Sequence, residues 1–148
     1  MIVERPMEIV RIEDIRAYAE TLLLVALAKD LTRSAPDTAL PALARLHFTA
    51  CAARQCVAAA LHSAEPAVEL QRIDDARLVL AAFGAQVDEL HARRVLSASR
   101  HEQFGSGVAR GLLELARYER SVARRVACQR AGLDWRVAPA ATGDGAAW

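Results

Sequence analysis

Glu119 is a carboxylate where the sequence pattern asks for an apolar side chain. Over residues 108–126, taking about 100° per residue, Val108, Leu112, Leu115, Val122 and Val126 fall within about 40° of one direction, and Glu119 lies inside that arc. An ionised carboxylate buried without a partner costs several kcal/mol, so the pattern requires Glu119 to be paired, protonated or at a wet edge. The second helical stretch carries His47, Cys51, Arg54 and His62 along the border of its apolar face. If that stretch packs beside the last one, Arg54 meets Glu119 as a bidentate, register-setting pair. Glu119, Arg54 and His47 are therefore expected to be buried polar groups, with an interface position, catalysis or metal binding as the other roles for Glu119.

His47 and Cys51 are i,i+4 neighbours, the spacing that lets one helix face offer two metal ligands. Cys56 points about 140° away from Cys51, so further ligands must come from elsewhere, such as Glu119 or His91. The Glu-x-x-His pairs of di-iron bundles are absent. Neither a metal nor any other cofactor is expected.

The stretch RRVLSASRH holds Arg94 and His101 with six residues between them, at the junction of the third and fourth helical stretches. This resembles the Arg-x(4–6)-His signature of HEPN domains, small all-helical proteins of which many are RNases. Val95 stands where that family usually carries a polar residue. The resemblance implies a metal-independent RNase in which Arg94 and His101 of two protomers converge on the RNA backbone. A third chemistry is electrostatic. Arg110, Arg117, Arg120 and Arg124 gather on one side of the last helix and could lie along phosphates, with Tyr118 as the nearby aromatic. Trp135 and Trp148 sit on a small-residue tail and could anchor in a partner's groove.

The elements that position these residues are all helical. No β-branched alternation and no Asn-Gly or Asp-Gly hairpin signal occurs, whereas helical periodicity appears four times. The first helix is expected from Pro6 to about Leu31, with Ile12, Ile15, Ala19, Leu22, Leu23 and Ala26 as its stripe and Leu24 and Leu27 outside it. A helix apolar on more than one side is either central or an oligomer contact. After two prolines, the second runs to about His62 on Leu43, Leu46, Ala50, Val57 and Leu61. The third opens at Pro66 and carries a heptad seam of Ile73, Ala76, Leu80, Phe83, Val87 and Leu90. Ser99 and Glu102 form a capping box for the fourth, and Gly132 is a fitting residue to end it. Three glycines in GSGVARG, residues 105–111, imply close helix–helix approach or a delayed helix start.

These patterns predict an all-α protein: an antiparallel four-helix bundle over residues 1–133 with two long C-terminal helices, and a flexible tail over 134–148. Helices of about 30 residues span roughly 45 Å, long enough to project and pair with another chain. Spare apolar positions (Leu24, Leu27, Leu78, Leu96, Leu113) point the same way, to a homodimer.

A chain of 148 residues with 53% apolar and 25% charged residues and net charge +1 is neither disordered nor a polycationic tail. Its charge is segregated: residues 1–92 carry 9 basic and 13 acidic side chains (net −4), residues 93–148 carry 10 and 5 (net +5). Three cysteines without CxxC spacing, a charged start and no stretch of about 20 apolar residues predict a cytoplasmic, non-membrane protein. The Ala- and Arg-rich, Lys-poor usage suggests a GC-rich bacterial genome. The functional expectation is a non-enzymatic binding or regulatory protein acting on an unidentified protein partner. Nucleic-acid binding through the arginine side and the HEPN-like RNase are its alternatives.

Overall fold

The computed structural model describes residues 12–132, with side chains from Ile15 onward. Four helices follow one another, α1 (Ile12–Arg33), α2 (Leu40–His62), α3 (Pro66–Ala92) and α4 (Ala98–Arg130). Each packs on its chain neighbours, and α4 closes back onto α1. The links are short, residues 34–39, 63–65 and 93–97, so the helices alternate up and down. The result is an all-α antiparallel four-helix bundle in which α1 faces α3, and α2 faces α4, only across the diagonals. The expected start at Pro6 and the tail with Trp135 and Trp148 lie outside the described residues.

Local sequence accounts for the ends. Pro66 opens α3, where its missing N–H has no helical partner to lose. The hydroxyl of Ser97 accepts a hydrogen bond from the backbone N–H of Arg100 at 3.1 Å, so Ser97 caps α4, two residues earlier than the Ser99–Glu102 box predicts. Gly132 follows α4 with φ +72°, and its N–H donates to the Gln129 carbonyl at 3.2 Å, as expected of a glycine that ends a helix.

The third helix buries its whole heptad seam, and Phe83 meets Phe104 of α4 edge-on, ring centroids 5.7 Å apart. The second buries Leu43, Leu46, Ala50 and Val57 as expected, with Leu61 partly covered. In α4 the buried line keeps Leu115 and Val122 of the expected one but not its other members. It runs through Phe104, Gly107, Gly111, Leu115, Tyr118, Val122 and Arg125, leaving Val108, Leu112, Glu119 and Val126 on the edge towards α3. The two glycines explain the shift. A Cβ at Gly107 would stand 2.7 Å from Leu24 Cδ2, and one at Gly111 would stand 2.8 Å from Leu80 Cδ2. Leucines of both neighbouring helices fill the space that side chains on α4 would otherwise take.

The first helix is turned furthest from expectation. Ala17, Thr21, Leu24 and Ala28 are in the core, and Thr21 satisfies its hydroxyl within the helix by donating to the Tyr18 carbonyl at 2.7 Å. Small and hydroxylated residues carry this face, so the larger outward leucines dominate the sequence pattern. Of the spare apolar positions, Leu24 and Leu96 are buried, Leu27 is partly covered, and Leu78 and Leu113 are exposed.

Candidate functional site

The outward side of α1 is the first candidate. Ile15, Leu22 and Leu23 are 45%, 42% and 53% exposed, and Ala19 and Ala26 lie between and beyond them, also exposed. Rows of large apolar side chains left in water on one helix mark interaction surfaces more often than scattered single ones do. Arg16 and Lys29 are exposed on the same helix, as is Asp30.

The second candidate sits in the turn between α3 and α4. Asp88 Oδ1 and His101 Nε2 are 2.8 Å apart, and His91 stacks on His101 with ring centroids 4.1 Å apart and planes 10° from parallel. The turn itself brings them together. The Val95 N–H donates to the Leu90 carbonyl at 2.8 Å and the Arg94 N–H to the His91 carbonyl at 3.0 Å, a closing pattern that puts Arg94 at φ +62°. Glycine ordinarily occupies that left-handed position, as Gly132 does at the end of α4. The Arg94 side chain lines a shallow hollow with Leu31, Pro36 and Val95.

The third candidate is a buried polar cluster that the sequence pattern did not reveal. Glu69, in the first turn of α3, accepts a hydrogen bond from Tyr118 Oη at 2.6 Å on one carboxylate oxygen. Its other oxygen accepts from Arg125 Nη1 at 2.8 Å. All three side chains are buried. The first turn of a helix favours a negative charge there, and the cation comes from the far end of the antiparallel neighbour. One signal was available: an acidic residue in the first turn of a helix opened by proline, matched by Arg125 on the apolar line extended from Phe104.

Glu119 is not the core carboxylate. It pairs with Arg77 of α3, and its side chain is 47% exposed. Arg54 cannot reach it, because α2 and α4 lie diagonally opposite. The arginine side of α4 is also divided. Arg110 bonds Glu20 of α1 at 3.3 Å, Arg117 bonds Glu114 at 2.7 Å, and Arg120 is exposed. Arg124 is only 7% exposed and is itself partnered. These four do not form one open cationic stripe. His47 Nε2 lies 3.6 Å from Cys51 Sγ, and among the described residues no group of three or more His, Cys, Asp or Glu side chains could hold a metal ion. Burial pushes the Cys56 thiol up, Asp75 adds to that, and Arg72 opposes it, so Cys56 is poorly suited to nucleophilic work.

No protein family, curated protein or solved structure matches this chain. Among the described residues no helix is long and apolar enough to cross a membrane.

Proposed function

We propose that this chain is a non-enzymatic binding or regulatory protein that works through protein–protein contacts, its own dimerisation among them. The row of exposed Ile15, Leu22 and Leu23 on a helix whose other side is already in the core carries this reading. Burying such side chains is worth roughly 1.5–3 kcal/mol each when fully removed from water, so leaving three of them uncovered is costly. Size-exclusion chromatography with light scattering and the 260/280 nm absorbance ratio tests it. The expected species has twice the 16.1 kDa chain mass, a protein-like ratio and no response to salt. A species rich in 260 nm absorbance that sheds it at high salt would replace this reading with nucleic-acid binding.

A second reading has its own support, the Asp88–His101–His91 group at the turn that also holds Arg94 in its left-handed conformation. A non-glycine residue in the left-handed region costs about 1–2 kcal/mol, a cost functional positions tolerate. On this reading His101, oriented by Asp88, moves a proton while Arg94 holds a phosphate of RNA. Arg94→Gly is then expected to raise stability by about 1 kcal/mol and to abolish RNA cleavage. Cleavage that survives both Arg94→Gly and His101→Ala ends the RNase reading.

A further inference from the structure

We infer that the outward face of α1 packs against the same face of a second copy of this chain, with the two helices antiparallel. The inference rests on the protein-contact reading above and names its partner. Ile15, Ala19, Leu22 and Ala26 follow at spacings of four, three and four residues, a second heptad-like seam behind the one in the core, and Leu23 widens it. Lys29 and Arg33 line a shallow hollow together with four residues of this face, Leu23, Ala26, Leu27 and Asp30. The spacing of these four, i, i+3, i+4 and i+7, is that of the hole that receives one side chain from a facing helix.

Charge decides both the occupant and the direction. Arg16, Leu23 and Asp30 lie at seven-residue intervals on one flank of this face, and all three are exposed. A two-fold axis through Leu23 sets Arg16 of each chain against Asp30 of the other, so the face is complementary to itself. A parallel pairing would set arginine against arginine and aspartate against aspartate. Arg16 and Asp30 are separated by about 21 Å of helix, so the two ion pairs bracket the apolar contact instead of interrupting it. Ala19 and Ala26 lie either side of Leu22 and Leu23, where small side chains let the backbones approach. Within its own chain Asp30 lies 3.8 Å from Arg100 Nη2, beyond hydrogen-bond length, and its side chain is 61% exposed.

Sedimentation velocity of the full chain, from about 1 to 100 μM, reads the association. The wild type is expected to form dimers, and Leu22→Glu with Leu23→Glu is expected to give a monomer of unchanged helical circular dichroism. Arg16→Asp alone and Asp30→Arg alone each weaken the dimer about tenfold, and the two together restore it. Leu78→Glu with Leu113→Glu leaves it intact. A monomeric wild type overturns the self-association and, with it, dimerisation as part of the proposed function. A dimer indifferent to the Leu22 and Leu23 changes overturns the α1 interface while protein contact through another face stands. Single charge changes that the double change fails to rescue overturn the antiparallel arrangement.

Discussion

Arg125→Leu is expected to destabilise the bundle by about 3–5 kcal/mol, read as a lower urea midpoint with an unchanged slope. The substitution keeps an apolar side chain of useful size at a buried position, so packing is not the main loss. What changes is that Glu69 keeps its charge inside the bundle without the cation that bonds it at 2.8 Å. Tyr118→Phe takes away one hydrogen bond to the same carboxylate and is expected to cost less, about 1.5–3 kcal/mol. The instructive variant is the double one. Glu69→Leu with Arg125→Leu is expected to be more stable than Arg125→Leu alone, because no carboxylate is then left in the bundle without Arg125, although Tyr118 Oη loses its bond to Glu69. A double variant no better than the single one would mean that the two groups are not coupled.

The glycines of α4 give the second large effect. Gly111→Val is expected to lose about 2–3 kcal/mol in the same unfolding measurement. Its Cβ would be placed 2.8 Å from Leu80 Cδ2, and Leu80 is fully buried, so rotating it away drives it into occupied space. Gly105 belongs to the same GSGVARG stretch and answers in the opposite direction. Nothing lies within 4 Å of a Cβ built there, so Gly105→Ala gains about 0.5–1 kcal/mol from helix propensity alone. Equal responses at Gly105 and Gly111 would contradict the close packing of α3 on α4.

The sequence alone makes the four-helix bundle legible because large apolar residues repeat at helical spacing and prolines and glycines punctuate the gaps. Where the core is built from such residues, as along α3, each inward position can be named. Where it is built from alanine, threonine and glycine, the pattern misleads. In α1 Leu22 and Leu23 are on the outside, and Ala17, Thr21 and Ala28 hold the inside with Leu24. In α4 Gly107 and Gly111 mark the inward line by the absence of a side chain, which a hydrophobicity pattern scores as nothing. Glu119 drew attention because it interrupts leucines and valines, yet it pairs with Arg77 at the half-open edge. The carboxylate that does enter the core, Glu69, looks from the sequence like an ordinary first-turn acid. Its identity depends on Tyr118 and Arg125, 49 and 56 residues further along the chain. A single sequence does not show which helices are neighbours and which are diagonal, and the expectation about Arg54 failed on that point.

Closure of α4 onto α1 has a consequence for how the chain assembles. The contacts of α1 with α2, of α2 with α3 and of α3 with α4 join consecutive helices through short links and form early at little entropic cost. The fourth seam instead joins Arg110 to Glu20, 90 residues apart, so it carries the longest loop closure in the bundle. Three helical hairpins can therefore exist before the square is shut. Loop closure therefore places the settling of α1 over Gly107 late, the step that turns the inner seam of α1 from a solvent-facing surface into core.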